Sequence, residues 1–306
     1  MVELPPSSSG SSSAPLCADT ARERDDPIVG TALHLRRFLL IEHPGPWPFH
    51  ALESEGVVDV VPGLVEATRE AGGRSFLIRR PGRRSATQGP RAWAVADVGT
   101  DRILWGTWER PEDLLEAAGP ALGADSAGWS TEPTLLVCAH GRHDTCCAVR
   151  GRPVAAALSE RWPEATWECS HVGGDRFAAN VVVLPDGTYY GSLDERSAVD
   201  VVAGHLAGTV DPTFLRGAST MPPVAQAAAA AAHERWGPAR PRAVTAHRCG
   251  PTGDDVWDVE LEAEHPLPSR IAARVRSVVA DPAVLTCRAP RATAARRWVV
   301  ESLSAR

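Results

Sequence analysis

The residues with the clearest capacity for chemistry lie between Leu135 and Leu193. This stretch contains four of the seven cysteines, three histidines and a Gly-Gly pair. The cysteines and histidines follow apolar runs, in segments that have the composition of loops. Soft thiolate and imidazole donors placed in such loops suit a transition-metal site better than a packed core. The stretch therefore predicts a metal centre.

The surrounding pattern predicts the elements that carry these residues. The apolar run 134–137 predicts a strand, and Arg152-Pro153 opens a predicted helix that ends at Trp162. A strand at 165–169 precedes a predicted hairpin, 180–184 with 188–193, around the turn Pro185-Asp186-Gly187. A helix at 195–207 ends the unit. The candidate ligands therefore lie in loops at strand ends.

A similar succession of strands and helices comes earlier, between residues 36 and 118. The order predicts an α/β fold with two thioredoxin-like units, each a mixed sheet with flanking helices. The first unit lacks metal ligands, because EHPG from Glu42 stands where the second unit has CAHG from Cys138. The predicted units span 29–125 and 130–210, and only the second can hold a thiolate-bound metal.

The other segments complete the predicted domain organisation. The polar stretch 1–28 predicts a disordered tail, in which Cys17 is expected to be a free thiol. A linker with an Ala-rich helix covers 211–240, and short strands, including one at 283–288, predict a small β-rich region at 241–306. Cys249 and Cys287 in that region are expected to be small core residues, with metal ligation as the alternative.

Two long motifs, CAHGRHDTCCAVRG and WECSHVGGDRFAANVVVLPDGTYYG, resemble the sucrase/ferredoxin-like family, a branch of the thioredoxin-like [2Fe-2S] ferredoxins. The segment LLIEHPGPWPFHAL is similar to the N-terminal region of that family. The resemblance covers the chain from about residue 16 to the end of the second unit. It implies a thioredoxin-like fold that binds one [2Fe-2S] cluster and transfers electrons.

The resemblance also implies the cluster ligands. The first cysteine of the family motif falls on Cys138. The second falls on Cys147, which directly precedes the small residue that leads into the helix. The adjacent Cys146 is the alternative to Cys147. The second ligand pair is spaced C-x3-C in all-cysteine ferredoxins and H-x-G-G-H in related eukaryotic proteins. Here these five positions run from His171 to Asp175, so that an aspartate stands where histidine or cysteine is expected. Three other side chains are alternative donors of the fourth bond: His140, His143 and Cys169.

The aspartate has a consequence for the electronic properties of such a cluster. Ferric iron is hard enough to accept a carboxylate, so Asp175 is a chemically possible ligand. Exchanging one neutral imidazole for a carboxylate adds a negative charge, which disfavours the addition of an electron. We therefore expect a lower reduction potential than that of a relative with two histidines. Loss of the cluster is the remaining alternative.

Two other classes of function stay open. Two thiolates, an imidazole and a carboxylate also make an acceptable zinc site. The adjacent Cys146 and Cys147 suggest a thiol oxidoreductase, although the chain lacks the C-x-x-C motif and a disulfide between adjacent cysteines is strained. Whether the protein is an enzyme is left open, but sugar hydrolysis is not expected. It needs two carboxylates that face each other across a bond, whereas Asp144 and Asp175 are explained by loop geometry and metal.

Composition limits the compartment and the partners. The net charge is −6, and the 32 basic residues, all arginine, are spread along the chain, so a nucleic-acid partner is not expected. No apolar run approaches the length of about 18 residues that suggests a membrane span. The N-terminus lacks the pattern of a secretory signal, and the clustered cysteines indicate reduced thiols in the cytoplasm. The absence of lysine indicates a GC-rich, bacterial genome.

The expected partners are unidentified electron donor and acceptor proteins, and the chain is expected to be a monomer or a homodimer.

Overall fold

The architecture is an α/β fold with two separate sheets. The computed structural model describes residues 15–59, 61–82, 89–123 and 127–306. Within these ranges it has a nine-stranded mixed sheet, a four-stranded antiparallel sheet and six α-helices. The predicted α/β class is confirmed. No helix of the described ranges combines the length and the apolar character that crossing a membrane requires.

The first half of the large sheet comes from residues before position 124. Its elements are, in chain order, α1 (Cys17–Glu23), β1 (Arg37–Glu42), α2 (Val61–Glu70), β2 (Gly73–Arg79), β3 (Arg91–Asp97), β4 (Arg102–Trp108) and α3 (Pro111–Gly123). β1 and β2 pair in parallel through the crossover helix α2, and β3 and β4 continue antiparallel on the other side of β1. The resulting strand order is β4-β3-β1-β2.

The second half repeats this arrangement. Its elements are β5 (Thr134–Cys138), α4 (Thr145–Arg161), β6 (Thr166–Cys169), β7 (Val181–Leu184), β8 (Thr188–Tyr190) and α5 (Glu195–Leu206). β5 and β6 pair in parallel, and β7 and β8 continue antiparallel from β5, which gives the order β8-β7-β5-β6. A further strand, β9 (Leu215–Ala218), pairs with β8. The sheet therefore extends past residue 210, into the segment predicted as a linker.

The two halves join edge to edge into one sheet through β2 and β6, each of which pairs in parallel with another strand of its own half. β2 and β6 pair antiparallel, with Ile78 opposite Cys169. The strand order is the same in both halves when each is read toward the junction. A single hydrophobic core crosses the junction, where the ring of Phe38 lies 6.4 Å from that of Tyr189.

The strands that lead to the predicted ligands are buried along their whole length. Every residue of β5 and β6 is buried, as is usual for parallel strands that are covered on both faces. Leu136 and Cys138 face one core, whereas Leu135 and Val137 face a second core beneath α4 and α5. The carboxyl ends of β5 and β6 lie side by side, with Cys138 opposite Cys169.

The C-terminal region packs against an alanine-rich helix. After α6 (Pro223–Trp236), the strands β10 (Val244–Gly253), β11 (Val256–Ala263), β12 (Arg270–Val279) and β13 (Arg296–Ala305) form the antiparallel sheet in chain order. The small side chains of α6 allow the helix to lie close to the sheet, and they share a core with residues such as Val259 and Val275. Cys249 is half-buried on β10 and packs against this core.

The predicted disordered tail is wrong for its last part. Residues 1–14 lie outside the described residues, but α1 is a helix within the predicted tail. It folds because Cys17, Ala18 and Ala21 bury one of its faces. The composition of the segment hides this face, since two of its three members are alanines.

Two further local predictions are wrong. α4 begins at Thr145, well before the predicted start at Arg152, because the side chain of Asp144 caps the helix and Pro153 is accommodated inside it. Residues 283–288 do not form the predicted strand and contribute a single bridge, between Ala283 and Thr293. Cys287 consequently lies in a loop rather than on a strand.

Candidate metal centre

Three of the predicted ligands meet where β5, β6 and α4 come together. Cys138 is the last residue of β5, Cys147 lies in the first turn of α4, and His171 follows the end of β6. One ligand atom from each of the three lies within 4.8 Å of the other two. Both cysteines are buried, while the His171 side chain retains 16% of its exposure. The fold thus brings together residues that are far apart in sequence.

The first turn of α4 directs its two adjacent cysteines to different places. Asp144 Oδ1 accepts a hydrogen bond from the Cys146 N–H over 2.8 Å, so this side chain caps the helix. Adjacent helical residues project about 100° apart, so the two sulfurs cannot face the same pocket. Cys147 faces Cys138, whereas the Cys146 sulfur contacts the sulfurs of Cys17 and Cys287.

The loop after β6 turns back sharply and brings Asp175 to the same pocket. Gly173 and Gly174 have φ angles of 83° and 77°, which residues with side chains rarely adopt. His171 Nδ1 lies 2.9 Å from Asp175 Oδ1, and the Cys147 thiol donates to that oxygen over 3.4 Å. Asp175 is buried. Both ends of the five-residue motif therefore reach the pocket that contains Cys147.

A buried arginine, which was not anticipated from the sequence, holds this loop in place. Arg216 on β9 is 1% exposed, and its Nη1 donates to the Gly173 carbonyl over 3.0 Å and to Asn180 Oδ1 over 2.8 Å. Asn180 in turn donates to the Gly174 carbonyl over 2.9 Å. A Cβ added to Gly174 would lie 2.5 Å from Arg216 Nη2, so the second glycine makes room for the guanidinium. The only sequence signal was an arginine in an otherwise apolar strand.

In the described part of the chain, no carboxylate makes a hydrogen bond or an ion pair with Arg216. Within the described residues, the hydrogen-bond partners of its guanidinium are neutral: Thr31, Gly173 and Asn180. Burial lowers the pKa of Arg216 to about 10, although the nearby Cys138 and Asp175 act to raise it. The guanidinium therefore supplies positive charge beside the candidate ligands.

Opposite charges are concentrated among the candidate ligands. Hydrogen bonding from the Cys147 thiol and the His171 ring holds the pKa of Cys138 well below its usual value, despite burial. Donating to Cys138, together with burial, raises the pKa of Cys147. Burial alone would lower the pKa of His171, but Asp175 and Cys138 outweigh it and raise that pKa to about 9. Burial likewise opposes ionisation of Asp175, yet His171 lowers its pKa. These pKa directions favour the charged forms of Cys138, His171 and Asp175.

The three alternative donors differ in how close they lie to the other candidate ligands. The His143 ring stacks on His171 with 3.8 Å between centroids, and one atom of each lies within 4.8 Å of an Asp175 oxygen. His140 has its Nε2 2.7 Å from the Pro48 carbonyl, and it joins no possible ligand group among the described residues. Cys169 lies in the core and joins no possible ligand group among the described residues. His143 is therefore the alternative that the geometry favours.

A surface cleft gives access to the histidine side of the pocket. The cleft has a volume of about 340 Å³, and His143 and His171 line it together with Phe49. Phe49 is 44% exposed, and its ring stacks on His143 with 5.0 Å between centroids. The cysteines lie on the opposite, buried side. The pocket therefore has an inner thiolate side and an outer imidazole side.

The chemistry of these donors fits a thiolate-bound metal group. The buried His171 Nδ1 lies 2.9 Å from Asp175 Oδ1 in an ion pair that lacks the angle of a hydrogen bond, so hydrogen bonding within the described residues satisfies this nitrogen only in part. A bound metal would replace this poorly aligned contact. Two thiols, an imidazole and a carboxylate suit iron or zinc.

One family model matches most of the chain. The chain belongs to the sucrase/ferredoxin-like family, whose model matches residues 28–217. The match includes both halves of the large sheet and all four predicted ligands, and it confirms the resemblance carried by the two motifs. No curated protein and no solved structure matches the chain.

Proposed function

We propose that the protein binds one [2Fe-2S] cluster and transfers single electrons. The observation that carries the proposal is the convergence of Cys138, Cys147 and His171 to within 4.8 Å, in a chain of the sucrase/ferredoxin-like family. Asp175, beside His171 and Cys147, completes a set of four ligands. When bound, the cluster would supply a centre that accepts and releases one electron at a time.

Each ligand has a distinct part in this proposal. Cys138 and Cys147 provide the thiolates on the buried side, which keeps their sulfurs away from solvent. His171 and Asp175 bind the outer side, and Arg216 fixes the loop that carries them. Cys146 is not in this set because its sulfur contacts other residues. His143 is the alternative fourth ligand.

The charges of these residues favour a low reduction potential. Two thiolates and one carboxylate leave a [2Fe-2S] cluster with one more negative charge than it has with two thiolates and two imidazoles, and added negative charge opposes reduction. The buried Arg216 offsets part of this effect. We expect a potential below that of a bis-histidine variant of the same protein.

The histidine side is the proposed route for electrons. His171 and His143 stack and border the cleft, and Phe49 extends the row of rings to the surface. Electron donor and acceptor proteins would approach here.

We also propose that each half of the large sheet is a thioredoxin-like unit, which the matching strand orders support. Because the two halves pair edge to edge within one chain, we expect a monomer.

The test is iron and sulfide analysis with EPR on anaerobically purified protein and its Asp175→His and Asp175→Ala variants. Wild type should contain two irons and two sulfides per chain and give the EPR signal of a reduced [2Fe-2S] cluster. Asp175→His should change the g-values and raise the potential, and Asp175→Ala should make the cluster labile. Cys169→Ser is the matched control, since Cys169 is buried nearby but joins no ligand group in the described residues.

Two results would contradict the proposal. A colourless protein that holds zinc through Cys138 and Cys147 would assign the pocket to zinc instead. Protein without metal, in which these thiols cycle with a disulfide reagent, would assign it to thiol redox chemistry. Identical spectra from wild type and both Asp175 variants would remove Asp175 from the ligand set and direct the search to His143.

A further inference from the structure

Three cysteines that are distant in sequence form a second cluster on the other side of the α4 N-terminus. The sulfur of Cys146 lies 3.4 Å from that of Cys17 and 3.2 Å from that of Cys287, and the latter two are 3.6 Å apart. Cys17 begins α1, and Cys287 lies in the loop between β12 and β13. Separate parts of the chain therefore supply three thiols to one point, and none of the three belongs to the candidate cluster site.

A buried carboxylate completes the group. Asp144 is 0% exposed, and oxygen atoms of its carboxylate lie 3.9 and 4.0 Å from the Cys17 sulfur. It accepts the Cys146 N–H through Oδ1 and the Cys287 N–H through Oδ2, over 2.8 and 2.6 Å. Each oxygen keeps a lone pair after these hydrogen bonds. One carboxylate thus orients two of the three cysteines and remains able to bind a cation.

Backbone donors point at the sulfurs themselves. The Ala18 N–H donates to the Cys146 sulfur over 3.4 Å, and the Cys17 N–H donates to the Cys287 sulfur over 3.5 Å. Hydrogen bonds from N–H groups favour the thiolate over the thiol. Thiolates, rather than thiols, are the form that binds metals.

The segment that carries Cys17 is fixed against the second unit. Asp19 of α1 pairs with Arg150 of α4, and Arg22 donates to the Ala178 carbonyl over 2.7 Å. Both contacts use α1, which lies in the segment where the sequence predicts a disordered tail. Cys17 is therefore held beside Cys146 by contacts other than those between sulfurs.

The distances fit one tetrahedral ion better than a disulfide. With zinc–sulfur bonds of about 2.3 Å, tetrahedral geometry places sulfurs about 3.8 Å apart. The three observed separations, 3.2 to 3.6 Å, lie about 0.2 to 0.6 Å below this value and well above the length of a sulfur–sulfur bond. A disulfide has a sulfur–sulfur bond of about 2.05 Å and would leave the third cysteine unpaired.

We propose that Cys17, Cys146, Cys287 and Asp144 bind one zinc ion. The three thiols release their protons on binding, as zinc coordination requires. The ion would join α1, the start of α4 and the C-terminal loop, and would fix the turn of α4 from which Cys147 projects into the cluster pocket. The site is structural, because four protein ligands leave no open position for a substrate.

The experiment measures zinc and iron separately in the full-length protein. Wild type from zinc-supplemented medium should contain about one zinc per chain. Cys17→Ser, Cys287→Ser and the double variant should lose most of it. Cys249→Ser is the matched control, because Cys249 is also a half-buried cysteine of the C-terminal region but joins no ligand group in the described residues. It should retain full zinc.

A Cys138→Ser variant separates this proposal from the proposed function. If both proposals hold, Cys138→Ser loses iron and keeps zinc, while Cys17→Ser loses zinc. Loss of zinc from Cys138→Ser but not from Cys17→Ser would place the zinc in the other pocket and overturn the inference. X-ray absorption at the zinc edge of wild type, which does not depend on variants that fold, should show three sulfur ligands and one oxygen.

Two further outcomes would also overturn the inference. One is wild type that contains no zinc and binds none when the metal-free protein is titrated with zinc alone. The other is a disulfide among these three cysteines in protein purified without oxygen, found by mass spectrometry.

Discussion

Replacing Gly151 by alanine should separate α4 from β5 and so disturb the candidate cluster site. An added Cβ would lie 2.0 Å from the Cys138 carbonyl oxygen, whereas ordinary contact begins near 3.4 Å, so helix and strand must move apart by about 1.4 Å. Overpacking of this kind costs about 1–3 kcal/mol, against a gain of about 0.5–1 kcal/mol from replacing a helical glycine. We expect the free energy of unfolding to fall by about 1–2 kcal/mol.

The same displacement should be larger than the cluster can tolerate. Metal–ligand distances vary by only about 0.2 Å, and Cys138 and Cys147 lie on the two elements that must separate. Urea denaturation of the metal-free protein measures stability, and iron content of the purified protein measures cluster retention. Gly63→Ala is the control, since Gly63 is exposed in α2 and its added Cβ meets only Leu115 Cδ2, at 3.6 Å. It should be neutral or stabilising. Gly151→Ala with unchanged stability and iron content would refute the close packing of α4 on Cys138.

Two other predictions concern buried charge. Arg216→Lys keeps the positive charge but loses part of the planar set of hydrogen bonds, so it should cost about 2 kcal/mol of stability and leave the reduction potential close to that of wild type. Arg216→Gln removes the charge and should lower the reduction potential. Equal potentials for the two variants in voltammetry would contradict this role of Arg216. His233 in α6 is 5% exposed and accepts the Ala239 N–H at Nδ1, and burial lowers its pKa to about 4. The unfolded chain therefore binds the proton more tightly than the folded chain does. The contribution of His233 to the free energy of unfolding is fully present above a pH of about 6.5 and is lost as the pH falls toward 4. The loss between pH 7 and pH 5 is about 2 kcal/mol. His233→Gln should remove this part of the pH dependence in urea titrations, and an unchanged slope would show that His233 is not buried in its neutral form.

Local sequence patterns predicted the second half of the large sheet well. The strands and helices between residues 134 and 207 are found near their predicted positions, because continuous apolar runs and the Pro-Asp-Gly turn are local signals. The main local error is the start of α4. There, Asp144 caps the helix and a proline lies inside it, whereas the prediction placed the proline in the first turn.

The candidate cluster site was predictable because its residues lie in two continuous motifs. Cys138 and Cys147 share one motif, and His171 and Asp175 share the other, so only the pairing of β5 with β6 was needed to bring them together. Arg216 was missed because it comes from a third segment and has no motif of its own. Its role depends on the open space above Gly174, which only the folded chain shows.

Long-range convergence was the part that sequence could not supply. Cys17 and Cys287 are separated from Cys146 by more than a hundred residues, and neither has a neighbouring ligand in sequence. Their meeting depends on α1 folding against the second unit and on a loop of the C-terminal sheet reaching α4. The antiparallel pairing of β2 with β6 could not be predicted either. Each strand lies at the edge of its own half of the sheet, and its sequence does not indicate which strand it pairs with.

The central claim is that His171 binds the outer iron of a cluster whose inner ligands are Cys138 and Cys147. Pulsed EPR on the reduced protein, grown with nitrogen-15 histidine, tests it most directly. A reduced [2Fe-2S] signal should show coupling to histidine nitrogen, and that coupling should be lost in His171→Ala but kept in His140→Ala, since His140 is held by the Pro48 carbonyl. Absence of a [2Fe-2S] signal, or histidine coupling that survives unchanged in His171→Ala, would contradict the account.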